Sequence, residues 1–338
     1  MRRRIRRTRR VRSIYHPYQG RRRGGGWILP VAVAVIVLLV VGCLAAHWIS
    51  LERESKLLTP TGTMVDVGGE QMHIYTEGSG EETLVFLSGG GTCSPVLDFK
   101  SLYSLLSTNY RVAVIERFGY GCSGDSGGRS RDIDTILEDS RAALLSAGVA
   151  GPYVLCPHSM SGLEAIRWAQ KYPEEVKAIA GLDMAVPAAY EEMPINPVTL
   201  RLGQFAVRSG LARLVPGLAD GDAVRCGTLS DEEAAAYRAF FYRRTASPDM
   251  LAEAAAVKTS AKDVAAGGTP QVPMLLFLSD GSGGTGFSTD EWRGFQRDYL
   301  SGVENGQSVE LDCPHYVHDY EYVRISEELR DFLQSLPQ

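Results

Sequence analysis

From about residue 62 onward, short and fully apolar runs alternate with longer stretches in which apolar positions recur every three to four residues. Residues 64–67 and 71–75, separated by Gly68-Gly69, predict a hairpin. Residues 83–87, 111–115, 153–156, 176–182, 273–278 and 308–311 read as buried strands. Helical periodicity occupies 96–107, 133–147, the stretch from Gly162 to Lys171, 289–300 and 322–336. Apolar strands alternating with helices predict an α/β fold, a mostly parallel, doubly wound sheet covered on both faces. The rhythm breaks over 184–271, where prolines 187, 194, 197 and 216 punctuate short helices and an alanine-rich helical stretch covers 231–266. That segment predicts a helical insertion above one end of the sheet.

A different pattern precedes this domain. Trp27 opens an unbroken apolar run that reaches Ala46 and continues through Trp48-Ile49. A helix needs roughly 20 such residues to cross a bilayer, and tryptophans favour its two boundaries. The expected organisation is a basic tail at 1–26, a transmembrane anchor at 27–49, a linker at 50–62, a core at 63–183, the insertion at 184–271 and the rest of the core at 272–338.

Charge sharpens this picture. The first 50 residues hold 11 arginines and no acidic residue, which leaves 24 of the 35 Lys and Arg against all 40 Asp and Glu, a net of −16. An arginine cluster alone suggests nucleic-acid binding, but one followed directly by an apolar span fits the cytoplasmic flank of a signal-anchor. The N-terminus is then cytoplasmic, the acidic domain extracytoplasmic, and no nucleic-acid partner is expected. Val40-Val41-Gly42-Cys43 also has the form of a lipoprotein cleavage site, although the apolar run continues past it. Cys93, Cys122, Cys156, Cys226 and Cys313 show no Cys-x-x-Cys spacing, and free thiols are expected, with a Cys93–Cys122 pair the disulfide considered.

The chemistry concentrates at strand ends. The strand at 153–156 stops at Pro157-His158-Ser159-Met160-Ser161-Gly162, and a helix follows at once. Strand, tight turn and helix with serine at the apex form a nucleophile elbow, in which small neighbours let the bend lift the hydroxyl clear of the sheet. Pro157 and Ser161 stand where two glycines are usual, and a serine N-cap is the other reading of the same residues. The glycine run at 89–91, Asp183, Asp280 and His315 also fall at carboxyl ends of predicted strands, where open α/β sheets bind ligands. The run at 88–92 lacks the Gly-Lys-Ser/Thr ending of a nucleotide loop.

From about residue 62 to 336 the chain resembles the α/β-hydrolase superfamily. Four segments match in order: Ser88-Gly89-Gly90-Gly91 in the oxyanion-loop position, Glu116-Arg117-Phe118-Gly119-Tyr120-Gly121-Cys122-Ser123 after the next strand, the elbow, and a histidine before the last helix. The insertion resembles the family's helical cap. The resemblance implies Ser159 as nucleophile and His315 as general acid/base, ahead of His318, with His158 packing beside the elbow. It implies Asp280 as the orienting acid, with Asp183 the alternative and Asp290 a third choice. The backbone N–H groups of Gly90 and Met160 would form the oxyanion hole, and no metal or cofactor is implied. The expected activity is hydrolysis of a small-molecule carboxylic ester, or an amide, through an acyl-enzyme. Aminopeptidase-type cleavage and a non-catalytic binding protein on the same fold are the alternatives, whereas a dehalogenase would need a carboxylate in place of Ser159.

Overall fold

The computed structural model describes residues 27–336, so the basic tail expected at 1–26 lies outside the described residues. The described residues divide into two compact units, which meet between Gly42 and Cys43 in the chain. Helix α1, Ile28–Glu54, contains the apolar run and is long and apolar enough to cross a membrane.

The second unit is built on an eight-stranded sheet. Its first elements are strands β1 (Thr63–Val67), β2 (Glu70–Glu77) and β3 (Thr83–Leu87), then helices α2 (Pro95–Asp98) and α3 (Lys100–Leu106). Strand β4 (Arg111–Glu116), helix α4 (Ile133–Ser146), strand β5 (Tyr153–Pro157), helix α5 (Gly162–Lys171) and strand β6 (Val176–Leu182) follow. Five helices come next: α6 (Pro187–Glu192), α7 (Pro197–Arg208), α8 (Asp222–Arg225), α9 (Asp231–Arg244) and α10 (Pro248–Ala266). The chain then re-enters the sheet as β7 (Met274–Leu278), α11 (Thr289–Leu300), β8 (Gly306–Glu310), α12 (Val317–Tyr320) and α13 (Tyr322–Ser335).

The strand order is β1-β2-β4-β3-β5-β6-β7-β8, antiparallel at β1/β2 and β2/β4 and parallel elsewhere. The central strands read as apolar throughout because successive side chains enter different cores. Val85 and Leu87 pack toward α4 and α5, whereas Leu84 and Phe86 pack toward α3 and α13. Chain order reverses around β3, whose Leu87 pairs with Ile115 of β4 and Pro157 of β5. The loops leaving these three strands therefore open side by side into one crevice, the general ligand position in such sheets.

Two helices expected to be continuous are broken. The stretch 96–107 divides at Phe99, which is buried against the rings of Phe86 and His318. The stretch 231–266 divides at Ala246, which takes a left-handed φ of 55°; Ser247 then caps α10 and Pro248 occupies its first turn. Periodicity alone carries no signal for a bend that a Ser-Pro pair marks.

Candidate functional site

Ser159 sits between β5 and α5 with φ at 53°, a left-handed value costly for a residue with a Cβ. Three features hold this bend. His158 N–H donates to the Leu87 carbonyl (2.9 Å), making the link to β3 that Pro157 cannot make. Ser161 Oγ donates toward the carbonyls of Leu87 (2.6 Å) and His158 (2.8 Å), so the serine replacing a glycine is buried and satisfied. The position that tolerates no side chain is the next one: a Cβ on Gly162 would stand 2.2 Å from the Ala185 carbonyl oxygen.

The glycine loop lies against the elbow, and a Cβ on Gly89 would meet the Ser159 Cβ at 2.9 Å. Arg117, wholly buried, fixes this loop by donating to the carbonyls of Ser88 (2.9 Å) and Gly89 (3.4 Å). The same guanidinium pairs with Glu164 of α5 and Glu253 of α10, both at 3.3 Å, and lies over the Tyr120 ring. Glu253 also accepts from Tyr120 Oη (2.6 Å) and Arg131 (3.0 Å), and Arg131 continues to Asp139 (3.0 Å). One buried charge network thus joins the glycine loop, the helix behind Ser159 and an inserted helix. Sequence reasoning missed it because its members are far apart in the chain, and an isolated Glu or Arg on a helix reads as surface.

His315 follows β8, and its backbone N–H donates to Ser282 (2.9 Å). Its Nδ1–H donates to Asp183 Oδ2 at 2.5 Å. The Asp183 carboxylate also accepts from Ser279 N (2.8 Å) and Oγ (2.6 Å), Trp292 Nε1 (2.9 Å) and Gln296 Nε2 (3.2 Å). Burial pushes this carboxyl up, but the hydrogen bonds from His315 and Ser279 outweigh it and hold its pKa below the ordinary value. Of the two aspartates weighed from the sequence, it is Asp183, the alternative, that the structure brings onto the His315 imidazole, and not Asp280. Asp280 Oδ1 accepts from Ser282 N–H (2.8 Å) and shapes its own loop, while the carboxylate on the imidazole leaves the preceding strand, β6. Asp290 lies in the first turn of α11.

His318 does not enter the cavity wall; its Nε2 pairs with buried Asp98 (3.1 Å) beneath His158. His158 Nε2–H donates to the His315 carbonyl (3.2 Å) and its Nδ1 is buried without a partner. Burial and the neighbouring His315 and His318 drive its pKa well below the usual imidazole value, so it is neutral. Donor atoms of Asp98, His158 and His318 fall within 4.8 Å of one another, as do those of His73, Glu116 and Cys122. Direct hydrogen bonds, His318 to Asp98 and His73 to Glu116 (2.9 Å), account for the closest approach within each group. The six cysteines are free thiols, Cys93 and Cys122 included.

Gly90, Ser159, Met160 and His315 border one cavity of about 550 Å³, and Ser159 and His315 share it without a direct hydrogen bond. Its far wall comes from the inserted segment, including Met193, Ile195, Leu200 and Leu251. No carboxylate side chain borders it among the described residues.

Comparison with known proteins places this geometry. The family model described as alpha/beta hydrolase fold matches residues 82–208. The chain is 39% identical over 255 residues to the uncharacterized protein YbdG of Bacillus subtilis (strain 168), covering 74% of this chain and 78% of that one. Among solved structures it is similar to the enol-lactonase from Burkholderia xenovorans LB400, at TM-score 0.59 and 17% identity over 81% of this chain and all of that one. It is likewise similar to the haloalkane dehalogenase DbeA from Bradyrhizobium elkani USDA94, at TM-score 0.61 and 18% identity over 80% and 97%. At these identities the likeness to solved structures is one of fold.

Proposed function

Because the chain belongs to the α/β-hydrolase superfamily, we propose that it is a membrane-anchored serine hydrolase that cleaves a carboxylic ester through an acyl-enzyme. The observation that carries this reading is the Asp183–His315 hydrogen bond of 2.5 Å on the same cavity as a serine held at φ 53°. With Nδ1–H committed to Asp183, Nε2 is the imidazole nitrogen left to accept a proton. Ser159 Oγ attacks the ester carbonyl carbon while His315 Nε2 takes its proton, and Asp183 stabilises the imidazolium. The tetrahedral oxygen, now negative, receives the backbone N–H groups of Gly90 and Met160. Collapse breaks the bond to the alkoxide, which leaves with the proton from His315. Water, deprotonated by His315, then releases the acid and restores Ser159.

An ester is preferred to an amino-terminal peptide because, among the described residues, no carboxylate borders the cavity to pair with a substrate ammonium. The apolar far wall instead suits an acyl chain. The apolar length of α1 and the 11 arginines before it support an anchor with the catalytic unit outside the cytoplasm. Protease added to intact cells should then digest the chain; complete protection would contradict that orientation. For the chemistry, the full chain in detergent should hydrolyse p-nitrophenyl esters, and Ser159→Ala should lower kcat by roughly 10⁴–10⁶. Undiminished hydrolysis by that variant would overturn the assignment.

A further inference from the structure

Helix α7 presents an apolar face that nothing in the described residues covers. Val198, Leu202 and Phe205 are 65%, 63% and 56% exposed. Their i, i+4, i+7 spacing puts them on one stripe. Arg201 and Arg208 line one edge of that stripe, are exposed, and form no ion pair among the described residues. Other residues of the helix and its entry, Asn196, Thr199 and Leu200, border the Ser159 cavity. One helix is thus both a wall of the cavity and an amphipathic surface with a cationic edge.

Its surroundings identify what the face meets. The turn after α7 packs on the last part of α1, where a Cβ on Gly210 would stand 3.0 Å from the Cys43 carbonyl oxygen. Arg213 donates to both Glu54 carboxylate oxygens (2.8 and 2.7 Å) and to His47 Nδ1 (3.0 Å), and Arg243 donates to the Leu51 carbonyl (3.0 Å). Cys43 lies six residues before Ile49, the last residue of the anchor read from the sequence, so chain continuity puts Gly210 within about 9 Å of the bilayer boundary. Leu214, Val215 and Leu218, just beyond, are 67%, 52% and 44% exposed. Exposed apolar residues and free arginines on a helix that ends beside such a boundary are what an interfacial helix uses to lie among lipid headgroups.

We propose that α7 and the 214–218 turn dock on the surface of an anionic lipid bilayer, so that the Ser159 cavity takes a bilayer-borne, long-acyl ester from that surface. This rests on the readings of Ser159 as nucleophile and of α1 as an anchor. The stripe supplies apolar insertion, the two arginines meet lipid phosphates, and Leu200 on the same helix meets the acyl chain entering the cavity.

The test uses the full chain reconstituted into phosphatidylcholine–phosphatidylglycerol vesicles. Phe205→Trp should add tryptophan fluorescence that brominated lipids quench, a readout independent of catalysis. Leu202→Glu/Phe205→Glu should lower turnover of a long-chain monoacylglycerol in the vesicles about tenfold or more, with turnover of monomeric p-nitrophenyl butyrate kept within about twofold. Absence of added quenching, or equal loss on both esters, overturns the proposal. So does a detergent-stable dimer that the double variant dissolves, because a second copy would then cover the face. Release of the chain by alkaline carbonate would instead fail the anchor. Quenching without any Ser159-dependent turnover would support the docking and fail the hydrolase reading.

Discussion

Two residues with left-handed backbone, Ser159 and Asp183, stand at the ends of neighbouring strands and carry the proposed chemistry. The sequence identified the first through its strand–turn–helix setting. It favoured Asp280 over the second because both aspartates follow a strand directly and strand ends alone do not rank them. The physical difference is that Asp183 collects donors from β7 and α11. Trp292 and Gln296, four apart on a buried helix face and each with a polar tip needing an acceptor, were the legible sign that a carboxylate lay beneath them. Asp183→Asn should therefore lower kcat by roughly 10⁴ while Asp280→Asn stays near wild type, measured with a soluble ester. The opposite ranking would return the role to Asp280. A second prediction concerns pH. His158 is held neutral, so the unfolded chain binds a proton below about pH 6.5 that the folded chain does not, and this residue's contribution to stability falls as pH drops through that value. Comparing urea unfolding of wild type and His158→Gln between pH 7 and 5, the wild type should lose up to about 1.4 kcal/mol per pH unit relative to the variant. Parallel curves would show that His158 titrates normally.

Strand and helix identities were largely legible, because buried strands and amphipathic helices write their periods directly into the chain. Breaks were not legible from periodicity, since Phe99 interrupts its helix through tertiary packing and the one at Ala246 is marked only by the Ser247-Pro248 pair that starts α10. At the elbow, the unexpected serine proves to be a tie. Ser161→Gly, although it recreates the usual motif, should lower stability by about 1 kcal/mol through loss of the one hydroxyl proton shared between the Leu87 and His158 carbonyls. A higher unfolding midpoint for that variant would contradict this account of the turn. The buried network around Arg117 links α5, α10 and the glycine loop. Replacing Arg117 by Met leaves Glu164 short of a countercharge and Glu253 with Arg131 alone, an expected loss of about 3–5 kcal/mol in the same unfolding measurement. A loss below about 1 kcal/mol would mean the network is dispensable.

At the scale of the whole molecule, the apolar run made readable a helix long and apolar enough to cross a membrane, and the alternation of elements made the hydrolase fold readable. What linear sequence withheld is that the segment from Cys43 to Glu54 packs on the inserted helices through Arg213, 159 residues from its partner Glu54. That contact joins the segment from Cys43 to Glu54 to the inserted segment that walls the cavity, and the proposed chemistry within that cavity rests on Ser159. The most direct test is mass-spectrometric mapping of the adduct formed by a fluorophosphonate on the full-length protein. The account predicts a single modification on the peptide containing Ser159, abolished by Ser159→Ala and strongly slowed by Asp183→Asn. Labelling elsewhere, or no labelling of the folded chain, would contradict it.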